Sequence, residues 1–190
     1  MVRVALLTVI ALGGFAVLLF AASNGQRPSG VALASEVAEA PCSSASNATS
    51  RVHPRRDAVL GPLVLLGARD TVGRRREAFD GNGYKMSATL PRGQAVTLAV
   101  PRAAQSRVRL VFTLSSQERV AEMGIEGGEA AVRFSCTVSG RTQRVGWPGG
   151  LVVDRPRCVT LVLKRSGEPP LRRRVPVGRA CRVARAGHRT

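Results

Sequence analysis

The chain has 190 residues, with 29 Lys and Arg against 12 Asp and Glu, a net charge of +17, and 44% hydrophobic against 22% charged residues. That balance suits one globular domain and is too apolar for a chain without a core. Two His, four Cys and seven aromatic residues leave little material for imidazole catalysis or for stacking on nucleic-acid bases.

Residues 4–22 carry no charge and only Thr8 as a polar side chain, after Arg3. As a helix the run spans about 28 Å, close to the hydrocarbon core of a bilayer. Residues 1–22 are therefore predicted to be a hydrophobic helix, either a transmembrane anchor or a signal peptide cleaved near the small residues Ala21-Ala22-Ser23. Either role sends the rest of the chain out of the cytoplasm, to the cell membrane with an extracytoplasmic domain or into secretion. Residues 23–57 are rich in Ala, Ser, Asn, Gly and Pro and read as a flexible linker, with one short helix over 31–40 stopped by Pro41.

From Ala58 the hydrophobic period becomes two, the pattern of half-buried strands. The run 58–66 is broken by Gly61-Pro62, and after the turn Asp80-Gly81-Asn82-Gly83 the residues Tyr84, Met86, Ala88 and Leu90 alternate with polar ones. Val96, Leu98 and Val100 share a face, as do Val108, Leu110, Phe112 and Leu114. Ser115 and Glu118 have capping-box spacing, which predicts one or two helical turns over 116–123. Val132, Phe134, Cys136 and Val138 form the next strand, and a loop through Trp147-Pro148-Gly149-Gly150 leads into Leu151-Val152-Val153. Val159, Leu161 and Leu163 and then Leu171, Arg173, Val175 and Val177 read as a hairpin, its second strand placed at a sheet edge by Pro176. Seven to eight such strands over 58–181 predict a mainly β fold, an antiparallel immunoglobulin-like β-sandwich, with a partly open barrel as the alternative. Residues 182–190 form a basic disordered tail.

Four cysteines in an exported chain are most simply two disulfides. Cys158 opens one hairpin strand and Cys181 follows the other, so their pairing is geometrically cheap, leaving Cys42 for Cys136. The rival pairs Cys136 with Cys158 and Cys42 with Cys181. Cys136, Trp147-Pro148-Gly149-Gly150-Leu151-Val152-Val153, Cys158-Val159-Thr160-Leu161, Arg174-Val175-Pro176-Val177-Gly178 and Cys181 together have a familiar look. Over residues 83–181 the chain resembles a group of uncharacterised secreted or membrane-anchored β-domain proteins of high-GC actinobacteria. The resemblance implies export, disulfides and a small β domain; it implies no activity and no ligand.

The charge is spread over the fold, because residues 58–181 hold 21 Lys and Arg against nine Asp and Glu. Of the 29 basic residues 27 are Arg, a skew that codon usage in a GC-rich genome produces without selection for charge. The clusters Arg74-Arg75-Arg76 and Arg172-Arg173-Arg174 are the candidate polyanion-binding residues. Export removes nucleic acid as a partner and leaves anionic wall polymers and lipid head groups. Trp147 is either a core plug or the centre of an exposed contact loop for a protein partner.

His53 beside Pro54 and His188 near the chain end have no scaffold, so no Ser or Cys nucleophile has a placed base. No Gly-rich phosphate loop, metal-ligand set or cofactor motif is present, and neither a metal nor a cofactor is expected. The sequence therefore points to a non-enzymatic, extracytoplasmic, envelope-associated domain with a structural or binding role. Its alternatives are an envelope hydrolase working through Glu126, Glu129 and Asp154, and a protein-binding module.

Overall fold

The structure is a computed structural model that describes residues 37–48, 51–137 and 143–182. The predicted N-terminal helix and basic tail (182–190, apart from Arg182) lie outside the described residues. No helix among those described is long and apolar enough to cross a membrane.

Among the described residues the strands are β1 (Ala38–Ala40), β2 (Ser46–Ala48), β3 (Ala58–Leu60), β4 (Leu63–Leu66), β5 (Gly83–Pro91), β6 (Ala95–Ala99), β7 (Val108–Val111), β8 (Ala131–Ser135), β9 (Arg144–Val153), β10 (Arg157–Lys164) and β11 (Leu171–Val177), with the α-helix α1 (Leu114–Met123). They form a five-stranded sheet ordered β1-β8-β6-β10-β11 and a six-stranded sheet ordered β2-β9-β5-β4-β3, to which β7 adds beside β9. Among the described residues the pair of β1 with β8 is parallel; the other strand pairs run antiparallel.

The alternation produces the core directly. Tyr84, Met86, Ala88 and Leu90 of β5 are at most 4% exposed, while Lys85 between them faces solvent. They join Leu98, Phe134, Leu161 and Val175 of the other sheet in one apolar cluster, so both sheets turn their inner faces to the same core. At its centre Trp147 meets Phe134 edge-on at 5.2 Å between ring centroids, and Phe134 meets Phe112 at 5.3 Å. Edge contacts of this kind add about 0.5–1.5 kcal/mol each beyond area burial.

Several expectations change. The strands among the described residues number eleven rather than seven or eight, because Gly61-Pro62 divides 58–66 into β3 and β4 and because residues 37–48 are folded. The part of the expected linker that is described is therefore not a spacer: Ala40 and Asp57 are buried, and 38–40 is a strand where a helix was predicted. β1 pairs with β8 and β2 with β9, sequence-distant partners that no local pattern announces.

The helix is ten residues long, and its cap lies two residues earlier than predicted. Thr113 Oγ1 accepts from the Ser116 amide at 3.0 Å and Ser116 Oγ from the Thr113 amide at 3.2 Å. Leu114, expected to face the core, begins the helix and is 68% exposed.

The segment at Trp147 is not a loop either. Residues 144–153 are one strand, and Trp147 is fully buried with Nε1 donating to the Pro41 carbonyl at 3.2 Å. Of the two roles expected for Trp147, its burial is that of the core plug and not of an exposed contact residue. Pro148 sits where β9 has a partner on one side only, between β2 opposite Gly146 and β7 opposite Gly150, where a missing N–H costs the sheet least.

The hairpin β10-β11 forms as expected, with Pro176 on a strand at the end of the sheet order. Cys42 is bonded to Cys136 and Cys158 to Cys181, at Cα separations of 5.1 and 4.9 Å, and the rival pairing is excluded. Two disulfides are consistent with an oxidising, extracytoplasmic location.

Candidate functional site

The outer face of the six-stranded sheet carries the concave site. Alternation along β9 puts Gly146, Pro148 and Gly150 on that face, opposite Thr89, Ser87 and Lys85 of β5. Of these, Pro148 raises no long side chain above the sheet and, with Gly149, floors a trough, whereas Gly150 is covered by the Phe79 ring. One wall is α1, which contributes Gln117; the other is the chain from Gly67 to Gly83. Together they enclose a cleft of about 760 Å³ over Pro148 and Gly149.

The second wall is fixed at several points. The buried Asp57 carboxylate accepts from the Gly67 amide at 2.8 Å and the His53 amide at 2.7 Å. Thr71 Oγ1 donates to the Ala68 carbonyl at 2.7 Å and accepts from the Gly178 amide at 3.0 Å. The Gly73 amide donates to the Gly178 carbonyl at 3.1 Å, and Tyr84 Oη donates to the Arg74 carbonyl, also at 3.1 Å. Burial pushes the Tyr84 phenol above its ordinary range and keeps it in this donor form. Phe79 then turns the chain at φ 55°, in the left-handed region, and leans over Gly150, where a Cβ would overlap the Tyr84 carbonyl oxygen and press into the Phe79 ring. Phe79 and Ile125 pack on a small second core of Val111, Val120 and Val152 under α1.

Four cations, Arg56, Arg74, Arg75 and Lys85, line the cleft with two acids, Asp70 and Glu77. Arg56 is bound to Asp70, with Nη2 to Oδ2 at 2.7 Å and Nε to Oδ2 at 2.8 Å. That hydrogen bond holds the Asp70 carboxyl below its usual range and raises the Arg56 guanidinium, and Arg74 adds to the pull on Asp70. Among the described residues Arg74, Arg75 and Lys85 make no ion pair. A preorganised wall carrying unpaired cations can accept phosphate or carboxylate oxygens with little ordering cost.

The predicted arginine clusters divide. Arg74 and Arg75 face the cleft, whereas Arg76 Nη1 donates to the carbonyls of Val153 and Asp154 at 2.8 Å each and anchors the wall to the end of β9. Arg172, Arg173 and Arg174 lie on β11 of the other sheet, all exposed. Register puts Arg172 and Arg174 on its outer face, opposite Val162 and Thr160, while Arg173 shares the side of Leu161 at the sheet edge. The two clusters are thus separate surfaces. Arg144 is a structural cation: Nη2 donates to the carbonyls of Pro62 at 2.9 Å and Thr89 at 3.0 Å, and burial lowers its pKa.

The acids of the hydrolase alternative are not brought to the cleft. Glu129 is ion-paired with Arg119, Asp154 with Arg157, and Glu126 is exposed; none lines it. His53 contributes only backbone groups to the Asp57 turn, and His188 lies outside the described residues. Among the described residues no three His, Cys, Asp or Glu side chains come together as metal ligands.

Sequence reasoning missed Arg56, Asp70, Glu77, Lys85 and Gln117 as cleft residues. The only sequence signal at the floor was Pro148-Gly149, two residues without long side chains, and nothing local marked the missed residues of the walls. No protein-family model matches the chain, and no curated protein or solved structure matches it, so the functional reading rests on this geometry alone.

Proposed function

We propose that the protein is a non-enzymatic, extracytoplasmic binding module of the cell envelope, directed to the membrane by residues 4–22 and holding anionic envelope material on its basic surface. The observation that carries this reading is the convergence of Arg74, Arg75 and Lys85, none of them ion-paired among the described residues, on one preformed cleft. The dispersal of Glu129 and Asp154 into separate ion pairs gives the hydrolase alternative no support, and the burial of Trp147 removes the contact loop from the protein-partner alternative. The immunoglobulin-like assignment belongs to the same proposal. Its support is a core shared by two sheets around a buried Trp, with Cys136 in the same cluster.

The test is binding of the purified full chain to wall polymer and to anionic and neutral vesicles across a salt series from about 50 to 200 mM. Comparison with neutral vesicles subtracts the contribution of the apolar segment. Binding to anionic material that weakens steeply with salt is expected; equal binding to neutral and anionic material, or none at low salt, would contradict the reading.

A further inference from the structure

The cleft is too large for a single anion and too concave for a flat surface. The cations that make no ion pair among the described residues stand on different elements, Arg74 and Arg75 on the 67–83 wall and Lys85 on β5, so positive charge comes from more than one side of the trough. A phosphate or carboxylate held by one cation leaves the others available for a second charge on the same ligand. Besides these cations and the acids Asp70 and Glu77, the cleft presents neutral material: the part-buried ring of Phe79 on the 67–83 wall and the amide of Gln117 on α1, over a floor of Pro148 and Gly149. A ring face and an amide suit the polyol or peptide units that join successive anionic groups in a polymer.

A lipid surface fits less well. Among the described residues the exposed large hydrophobic side chains are Val37, Val59, Val72, Leu114 and Met123; Val72 on one wall and Leu114 and Met123 at the two ends of α1 are single residues on separate elements, and none of the five lines the cleft. Seating the trough on a bilayer requires apolar groups at its rim to enter the interface.

We propose that the cleft holds a soluble, linear anionic polymer through two or more of its successive charged groups, with Arg74, Arg75 and Lys85 at the anions and Phe79 and Gln117 at the linking units. This assignment rests on the reading that the protein binds anionic envelope material. Guanidinium and ammonium groups accept phosphate and carboxylate oxygens alike. The probes are therefore fluorescent oligo(glycerol phosphate) and oligo(glutamate), with neutral dextran as the uncharged control and inorganic phosphate as a single-anion competitor.

With the purified full chain, at least one anionic oligomer binds with an affinity that rises with length, while inorganic phosphate displaces it only at far higher concentration. Arg74→Gln with Arg75→Gln weakens binding about thirtyfold, and Lys85→Gln by itself about fivefold. The double change also flattens the slope of log K against log salt by about 1.4. Glu77→Gln removes a repelling carboxylate from the same wall and tightens binding, an effect that misfolding does not imitate. Arg172→Gln with Arg174→Gln leaves binding unchanged.

Loss of binding in the β11 variant with the cleft variants intact would move the ligand to the other sheet and overturn the assignment while leaving the broader reading standing. Inorganic phosphate competing as well as the oligomer would reduce the cleft to a single-ion site and overturn it. Preference for anionic vesicles over both oligomers would overturn it in favour of lipid. Absence of binding to any oligomer or vesicle at low salt would remove both the assignment and the reading beneath it.

Discussion

Replacing Cys42 and Cys136 together with alanine removes the disulfide that ties the first described segment to the rest of the fold. That segment is also held by three-residue pairings of β1 with β8 and β2 with β9, by burial of Ala40, by the hydrogen bond from Trp147 to Pro41, and by polar contacts such as Arg92 Nη2 to Asn47 Oδ1 and the pair Arg133 with Glu39. The bond joins residues 94 apart, whereas Cys158–Cys181 joins residues 23 apart. Loop-closure entropy in the unfolded chain makes the longer link worth about 4.7 kcal/mol and the shorter about 3.4 kcal/mol. Chemical denaturation of the oxidised full chain and of each double-alanine variant measures these losses. The Cys42 and Cys136 variant is expected to lose more, with a fall in melting temperature of roughly 14 °C at about 3 °C per kcal/mol. A loss below about 1 kcal/mol, or a larger loss in the Cys158 and Cys181 variant, would refute the view that residues 37–48 are part of the cooperative domain.

Three further outcomes follow from single positions. Gly150→Ala places a methyl group on the Tyr84 carbonyl oxygen and against the Phe79 ring, and is expected to destabilise by about 1–3 kcal/mol in urea unfolding; a neutral result would show that the Phe79 wall does not rest on β9. Asp57→Ala strands the amides of His53 and Gly67 and is expected to cost about 2–4 kcal/mol, with faster hydrogen exchange at Gly67 as the local readout. Asp70 has its folded pKa lowered by Arg56, so its contribution to stability is present above the ordinary carboxylate range and is lost as pH falls through the folded value. The stability difference between the native chain and Asp70→Asn is therefore expected to close on acidification below about pH 4 and to shrink in salt, since the pair is exposed; a difference that persists at low pH would assign Asp70 a role other than its charge.

Much of the fold is legible because strands with one buried face write their pattern at period two. β5, β6, β8, β10 and β11 lie where Tyr84, Val96, Val132, Val159 and Val175 alternate with polar neighbours. The pairing of Cys158 with Cys181 was equally readable, since a hairpin brings strand ends together whatever the rest of the chain does.

What was illegible has a common physical cause. β1 and β2 are three residues each, too short to show a period, and are strands only because β8 and β9 offer edges to them. Trp147-Pro148-Gly149-Gly150 has the composition of a turn, but Gly149 and Gly150 are required where Val111, Phe112, Tyr84 and Phe79 crowd β9. The helix cap moved from Ser115 to Thr113 because Thr113 and Ser116 are buried and satisfy each other. The cleft itself comes from the outer face of one sheet and a wall folded over it, so its cations are scattered in sequence from Arg56 to Lys85. The triplets Arg74–Arg76 and Arg172–Arg174 looked equivalent as charge runs, yet only the first contributes to a concave site.

The central claim, that the cleft is where anionic material is held, is tested most directly by amide hydrogen exchange of the full chain with and without saturating oligo(glycerol phosphate) or oligo(glutamate). The account expects added protection over residues 67–79 and around Gln117, with none over residues 171–177. Protection confined to β11, or no change at the cleft walls under conditions where the oligomer is bound, would contradict it.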